Sequence, residues 1–269
     1  MLSINSNMMA SNAARHLSSS YDALAQSVER LSSGLRINSA KDDAAGLAVS
    51  QQMAADLVTT QQGVRNAQDG QSMLQTMEGA LQTVNNDLVR MKQLAEQAST
   101  GSYSTDQRTI MNNEFQEMAR AIDNIAASTT FNGITMLNNS ASVSIVFGGK
   151  SDTISVTGSN MTSSALGVST LSVGSTASAQ AALTHLDTAI GDVNTARSTF
   201  GYKMNRLEST VDVLNIAAEN LSTAESRVTD VDVATEMATM TKNQVLAQAG
   251  ISMLAQANSM PQMALKLLG

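Results

Sequence analysis

Residues 183–228 read LTHLDTAIGDVNTARSTFGYKMNRLESTVDVLNIAAENLSTAESRV, and this stretch decides the fold. Alternating steps of three and four residues meet an apolar side chain at twelve of fourteen positions. Such a heptad pattern predicts one α-helix of 46 residues, roughly 70 Å long at the helical rise per residue. Its apolar stripe needs a partner along the whole length. The fourteen positions are Leu183, Leu186, Ile190, Val193, Arg197, Phe200, Met204, Leu207, Val211, Leu214, Ala218, Leu221, Glu225 and Val228.

Segments elsewhere in the chain carry the same spacing and can supply that partner. Because they occupy both halves of the sequence, we expect a mainly α fold. In it the N- and C-terminal segments form a long antiparallel helical bundle or coiled coil. The apolar positions are Leu17, Tyr21, Leu24, Val28, Leu31 and Leu35; Leu74, Met77, Leu81, Val84, Leu88, Met91, Ala95 and Ala98; Met111, Phe115, Met118, Ile122 and Ile125; and Val233, Met237, Met240, Ala247, Ile251 and Leu254.

A polar stretch marks the end of the first helical segment. Residues 31–48 read LSSGLRINSAKDDAAGLA, in which Gly34 is typical of a helix C-cap. Ser39 and Asp42 have the spacing of a capping box for the next helix. Asp42 and Asp43 are then expected in its first turn, where the helix dipole favours negative charge.

The middle of the chain has a different composition, rich in Ser, Thr, Val and Gly. Asn132-Gly133 is a strong signal for a hairpin turn. Apolar residues alternate over 143–147 and again over 154–156, with Gly148-Gly149 between them. We therefore predict a small β-hairpin element between the helical segments.

Composition excludes several classes of function. The net charge of −7 and the absence of a basic stripe oppose nucleic-acid binding. The chain has no cysteine, its two histidines, His16 and His185, belong to no motif, and no phosphate-binding glycine loop occurs. We therefore expect no enzymatic activity, no catalytic residue, no cofactor and no metal.

The sequence also lacks the features that direct a chain into a membrane. No run of 18 apolar residues occurs, so we expect no membrane insertion. The first residues, MLSINSNMMASNAARHL, have neither the basic nor the apolar region of a secretory signal peptide. The protein is therefore expected in the cytoplasm, or outside the cell by a route that needs no cleaved signal.

Four blocks of the sequence closely resemble bacterial flagellins. The resemblance covers roughly residues 1–140 and 180–269, in the same order, whereas the variable middle region is much reduced. The chain therefore resembles a short flagellin that is mostly filament core. The blocks are LSSGLRINSAKDDAAGLA at 31–48, TTFNGITML at 129–137, SRVTDVDVATEM at 226–237 and AQAGISMLAQANSMPQMALKLL at 247–268.

The resemblance implies a function and a division of the chain. A flagellin is a structural subunit that is exported unfolded by the flagellar type III apparatus and polymerises into the extracellular filament used for motility. Residues 1–44 with 225–269 would form an inner coiled-coil core. Residues 45–140 with 179–224 would form an outer helical bundle, and residues 141–178 the short variable hairpin segment.

The resemblance also implies partners and contact residues. The partners would be other copies of the chain, a flagellar export chaperone, the hook-associated and cap proteins, and Toll-like receptor 5. The residues that match are Arg36, Lys41, Asp42 and Asp43 for contacts between layers and subunits; Arg90, Leu94 and Glu114 for the receptor; and Met253, Leu254, Leu265, Leu267 and Leu268 for assembly and chaperone binding.

Two other functions share some of these features. A hook–filament junction protein has similar helical ends, and the strength of the match at residues 31–48 disfavours it. A cytoplasmic signalling hairpin, as in chemoreceptors, is also rich in Ala, Ser, Gln and Glu. The β-type middle and the lack of a membrane span argue against that second alternative.

Overall fold

The computed structural model describes residues 7–148 and 152–268, with side chains described up to residue 260 in the last helix. Helices predominate, and the two short β-hairpins lie in the middle of the chain, which confirms the predicted fold class. The elements are α1 (Met8–Ser33), α2 (Ala44–Ser99), α3 (Thr105–Ser128), β1 (Thr130–Phe131), β2 (Ile134–Thr135), β3 (Ser142–Val146), β4 (Thr153–Thr157), α4 (Thr176–Thr229) and α5 (Val233–Leu268).

The chain divides into two compact units. Unit 1 comprises Met1–Leu57 with Asn220–Gly269, and unit 2 comprises Val58–Glu219. Each unit combines segments from both halves of the sequence, because α2 and α4 each contribute residues to both.

The core of unit 2 is formed by the predicted apolar stripes of α2, α3 and α4. Every predicted position of α2 from Leu74 to Ala98 is buried, as are Phe115 and Phe200 on the facing helices. Arg197, an exception in the stripe of α4, donates to the carboxylate of Glu78 on α2 at 2.7 Å. The apolar stripe of α4 therefore accommodates the Arg197 guanidinium because α2 supplies the Glu78 carboxylate as its partner.

Arginine and serine side chains organise the turn between α2 and α3. Ser104 is the N-cap of α3 and forms a capping box with Gln107. The guanidinium of Arg108 donates to backbone carbonyl groups of Ala98 and Tyr103. These carbonyl groups lie at and beyond the C-terminal end of α2, where the helix leaves acceptors unpaired.

Both hairpins form where the sequence predicts them. Asn132 and Gly133 have φ values of 50° and 77°, which is the left-handed conformation that a two-residue hairpin turn requires. The second hairpin pairs β3 with β4 in antiparallel register, with Ile145 opposite Ile154. Its alternating apolar residues face the core, which confirms the predicted period of two.

The second hairpin lies against α2 and α4 through its backbone edges. The Asn66 side chain donates to the Val146 carbonyl at 2.7 Å, and the Lys203 ammonium donates to the Ser155 carbonyl at 2.5 Å. Gly63 has no side chain to hold the hairpin away, and an added Cβ would lie 2.7 Å from the carbonyl carbon of Phe147. One backbone carbonyl on each strand is thus bonded to a helix side chain and is not free to pair with another strand.

The loop that follows the hairpin is held on α3 by polar side chains. Asp123 accepts hydrogen bonds from the backbone and the hydroxyl of Ser163, both at 2.7 Å. Gln116 donates to the Leu171 carbonyl at 2.7 Å. Because these bonds satisfy buried or half-buried backbone groups, residues 158–175 need no regular secondary structure.

Candidate assembly surface

A short backbone pairing joins the two terminal segments of unit 1. The Arg36 amide donates to the Thr229 carbonyl at 2.6 Å, and the Val231 amide donates to the Gly34 carbonyl at 3.0 Å. Leu35 therefore lies opposite Asp230 in an antiparallel bridge. We call residues 34–43 and 229–232 the connector pair, because they follow α1 and precede α5.

Arg36 also binds the C-terminal end of α4. Its guanidinium donates to the Val228 carbonyl at 2.7 Å. This carbonyl belongs to the last turn of the helix, where a positive charge is favoured by the helix dipole and unpaired carbonyl groups need donors. Arg36 thus fixes one connector segment to the other within the chain.

The carboxylate of Asp42 closes the turn at residues 38–42. It accepts from the amides of Asn38 and Ser39 and from the Ser39 hydroxyl, at 3.0 to 3.2 Å. The Ser39 hydroxyl is the main reason that the pKa of Asp42 lies below its ordinary value. The predicted capping box is therefore half present: the Asp42 carboxylate accepts from the Ser39 amide, but the Ser39 hydroxyl donates to Asp42 and caps no helix, because α2 begins only at Ala44.

Asp43 is the residue that caps α2. The helix begins at Ala44, so Asp42 lies before the helix and not in its first turn. The Asp43 carboxylate accepts from the Gly46 amide at 2.9 Å, and its carbonyl accepts from the Leu47 amide. Placing Asp42 and Asp43 inside the first turn was wrong, because Asp42 is used in the preceding turn. Lys41 is exposed and has no hydrogen bond or ion pair within the described part of the chain.

Acidification is expected to release the Asp42 turn only at unusually low pH. Because the folded-state pKa is lowered, the hydrogen bonds stabilise the turn fully above the ordinary carboxyl pKa, and this stabilisation is lost as the pH falls through the folded-state value. An NMR titration of the Ser39 amide should show a midpoint below the ordinary carboxyl pKa. The step should vanish in Asp42→Ala and persist in the control Lys41→Ala; its survival in Asp42→Ala would contradict the assignment.

Asp232 is a further connector residue that the resemblance did not indicate. Its carboxylate accepts from the Ala234 amide at 3.0 Å and from the Thr235 hydroxyl at 2.7 Å, so it caps α5. The Thr235 hydroxyl is the main cause that lowers the pKa of Asp232. The local sequence DVAT, an aspartate just before a helical segment, was the available signal.

Helices α1 and α5 pack side by side in antiparallel orientation. The Asn7 side chain donates to the Ala257 carbonyl at 2.8 Å near one end. Arg30 and Glu236 form an ion pair at 3.7 Å near the other end. The backbones approach each other closely along the pair, more so than the helices of unit 2.

Small side chains explain this close approach. An added Cβ on Gly250 would lie 3.2 Å from the Leu17 side chain, so the two helices have little spare room there. The predicted stripes were partly wrong, because Tyr21, Val28, Met237 and Ile251 are exposed. The seam residues are Ala10, Ala13, Leu17, Ser20, Leu24, Ser27 and Leu31 on α1, and Glu236, Met240, Asn243, Ala247, Gly250, Leu254 and Ala257 on α5.

Unit 1 leaves many large apolar side chains uncovered. Among its described residues the buried apolar side chains are Ile37, Ala247 and Ala257. Helix α5 carries few charges, so its exposed surface is largely uncharged. A helix pair with so many exposed large apolar side chains is typical of an interaction surface. The exposed large apolar residues are Met8, Met9, Tyr21, Val28, Leu35, Val49, Val233, Met237, Val245, Leu246, Ile251, Met253 and Met260.

The three residues that the flagellin resemblance assigns to receptor binding lie on two helices: Arg90 and Leu94 on α2, and Glu114 on α3. Arg90 donates to one carboxylate oxygen of Glu114 at 2.7 and 2.9 Å, so the two side chains are joined across the helices. Both are exposed. Leu94 is only 2% exposed and packs in the core of unit 2.

The residues predicted for the C-terminal assembly segment fall in α5. Met253 is exposed, and Leu254 lies in the seam with α1. Leu265, Leu267 and Leu268 lie outside the described side chains. No cluster of three metal-ligating side chains occurs among the described residues. None of the described helices is both long enough and apolar enough to cross a membrane.

A helical chain of this kind, with a packed core in one unit and uncovered apolar helices in the other, is typical of a subunit that self-associates. The model of the bacterial flagellin N-terminal helical region matches residues 4–142. The model of the flagellin C-terminal helical region matches residues 183–268. The chain belongs to the bacterial flagellin family, which is a family of structural proteins.

Curated relatives match along nearly the whole chain. The flagellar filament 33 kDa core protein of Treponema phagedenis is 41% identical, with 98% of this chain and 99% of the relative covered. A flagellin of Halalkalibacterium halodurans is 39% identical, and a flagellin of Bacillus subtilis is 38% identical, with the same coverage.

Solved structures share the fold. The crystal structure of Bacillus cereus flagellin is 32% identical in sequence and has a TM-score of 0.51. The match covers 58% of this chain and 94% of the Bacillus cereus chain. A putative flagellar hook-associated protein from Vibrio parahaemolyticus has a TM-score of 0.60 at 15% identity, with 70% of this chain and 100% of that chain covered. At 15% identity the second likeness concerns the fold alone.

Proposed function

We infer that this chain is a structural subunit of the bacterial flagellar filament and polymerises with copies of itself. The observation that carries the inference is the full-length similarity to a filament core protein, at 41% identity over 98% of the chain. The exposed apolar side chains of α1 and α5 support it, because such side chains are stabilised when another subunit covers them.

The two-layer organisation follows from the same inference. Residues 1–44 with 225–269 form the inner coiled-coil core, residues 45–140 with 179–224 the outer bundle, and residues 141–178 the outward variable segment. Arg36 joins the two segments of the connector pair, and Asp42 and Asp43 order the first segment and the start of α2. Lys41, which is exposed beside them, is the residue best placed to contact a neighbouring subunit.

A filament subunit of this family also needs a route out of the cell and partners on the way. We place the chain outside the cell, exported unfolded by the flagellar type III apparatus without a cleaved signal. An export chaperone binds the C-terminal segment around Met253 before secretion. The hook-associated and cap proteins contact the ends of the filament.

Seeded polymerisation tests the filament function. Purified monomer is mixed with sheared filament seeds or a precipitating salt and viewed by negative-stain electron microscopy. Long uniform filaments are expected. Persistent monomers under all conditions would overturn the inference and favour the second candidate, a hook–filament junction protein.

That candidate is supported by the fold shared with the hook-associated protein of Vibrio parahaemolyticus. A cytoplasmic signalling hairpin would also stay unpolymerised.

Recognition by Toll-like receptor 5 is a further part of the proposal. Arg90 and Glu114 form one exposed, charged patch, and Leu94 supports it from the core. We predict that Arg90→Ala weakens binding of the monomer to the receptor ectodomain, because it removes a guanidinium and leaves Glu114 unpaired. The matched control is Arg120→Ala, which removes an exposed arginine paired with Glu117 on α3. Equal affinities of Arg90→Ala and the wild type in a binding titration would exclude this contact.

A further inference from the structure

The described methionines of this chain differ widely in exposure. The chain contains 17 methionines and no cysteine, so thioethers are its only sulfur groups. In unit 2, Met73, Met77, Met91, Met136 and Met161 are buried. In unit 1, exposed methionines occur on both α1 and α5.

Four of the exposed methionines lie at the same end of the α1–α5 pair. Met8 and Met9 are 65% and 61% exposed, and Met253 and Met260 are 61% and 36% exposed. The hydrogen bond from Asn7 to the Ala257 carbonyl brings the start of α1 beside this part of α5. Met253 and Met260 are seven residues apart, so they lie on one face of α5. We call these four residues the methionine patch.

We propose that the methionine patch is an oxidation site that controls polymerisation of the subunit. A peroxide transfers one oxygen atom to the thioether sulfur of an exposed methionine. The sulfur loses two electrons and becomes a sulfoxide, the O–O bond of hydrogen peroxide breaks, and water is released. Exposure selects the patch over the buried methionines of unit 2, and no thiol in the chain competes for the oxidant. Met237 is also exposed, but it lies near the other end of the α1–α5 pair, beside the Arg30–Glu236 ion pair.

Oxidation changes the surface on which assembly depends. A methionine side chain is flexible and apolar, and a sulfoxide is polar. When a second subunit covers the patch, each sulfoxide loses its water without gaining a hydrogen-bond donor from an apolar partner. We expect the monomer concentration needed for polymerisation to rise by about tenfold or more, because a tenfold change corresponds to about the desolvation cost of one buried polar group without a partner. This inference rests on the proposed function as a filament subunit.

The test compares untreated and peroxide-treated full-length chain. Peptide mass spectrometry after a short exposure to dilute hydrogen peroxide should find sulfoxide at Met8, Met9, Met253 and Met260 before Met77 and Met91. Seeded elongation of the treated monomer should slow or stop, while circular dichroism shows that the helices remain. Repair with methionine sulfoxide reductases should restore elongation.

Variants locate the effect. Chains carrying Met8→Leu, Met9→Leu, Met253→Leu and Met260→Leu should polymerise and resist peroxide, because leucine keeps the apolar surface without sulfur. Met77→Leu, in the core of unit 2, should stay peroxide-sensitive. Failure of untreated wild-type chain to elongate would count against the filament function itself. Normal elongation of the oxidised wild type, or full peroxide sensitivity of the fourfold variant, would overturn the proposal. If the fourfold variant does not elongate even without peroxide, the wild-type chain decides the outcome. Its elongation should be lost after peroxide treatment and recovered after treatment with the reductases.

Discussion

Deletion of residues 1–30 or residues 240–269 should abolish polymerisation and leave a soluble monomer with unit 2 folded. Each deletion removes most of one partner of the α1–α5 pair and exposes the seam of the other. A single remaining helix of this kind is marginal in water, because most helical stability in proteins comes from packing. Unit 2 keeps its own core, which includes Phe115, Phe200 and the buried stripe of α2.

Two measurements check this result. Negative-stain electron microscopy of seeded reactions should show no elongation for either deletion, and circular dichroism should show a cooperative melt of the remaining helices. Gly250→Leu in the full-length chain is the companion variant, because a larger side chain there must push Leu17 and α1 away. It should also lose elongation. Normal filaments from either deletion would show that the terminal helices do not drive assembly.

The sequence predicted those parts of the fold whose signal is local and carried by large apolar residues. The stripe of α2 was correct along its whole predicted length, because leucine and methionine recur at the helical period and are buried in unit 2. In α4 the predicted positions Leu186, Val193, Phe200 and Leu207 are buried, and the predicted positions between them are half-buried. The turn at Asn132-Gly133 was correct because few other residues adopt positive φ easily.

The seam of α1 with α5 was only partly predictable. Its close approach selects alanine, serine and glycine, which carry little hydrophobic signal, so Tyr21 and Val28 were assigned to it although they are exposed. The period of the pattern was right, and alternate predicted positions of α1, Leu17, Leu24 and Leu31, do lie in the seam, whereas the positions between them are exposed. The sequence alone does not distinguish an apolar residue that is buried within the monomer from one that becomes buried only when another subunit binds.

Contacts of the candidate site were hidden for a different reason. Arg36 reaches the Val228 carbonyl across 192 positions of sequence, and Ser163 reaches Asp123 across 40. Polar side chains that bind distant backbone groups do not recur at a regular spacing in the sequence. The sequence therefore shows which residue is present but does not indicate which group it binds. The cap of α2 was missed because Asp42 and Asp43 are adjacent aspartates with similar local propensity, and the turn uses one while the helix uses the other.

Replacing Gly63 by alanine should destabilise unit 2 although alanine is the better helix former. An added Cβ meets the backbone of Phe147, which cannot move aside as a flexible side chain can. The hairpin end must therefore lift from α2, and the bond from Asn66 to the Val146 carbonyl is strained or lost. Overpacking of this kind costs about 1–3 kcal/mol, more than the helix propensity gained.

Gly79→Ala is the matched control, because it makes the same change on the same helix. An added Cβ on Gly79 has no neighbour within 4 Å, so alanine there should raise the free energy of unfolding by up to about 1 kcal/mol. Urea unfolding of both variants should give shifts of opposite sign, and hydrogen exchange of the hairpin amides should increase in Gly63→Ala alone. Two stabilising shifts would mean that the hairpin does not rest on Gly63. Opposite shifts would show that this glycine is kept for the close approach of the hairpin, at the expense of the helix that carries it.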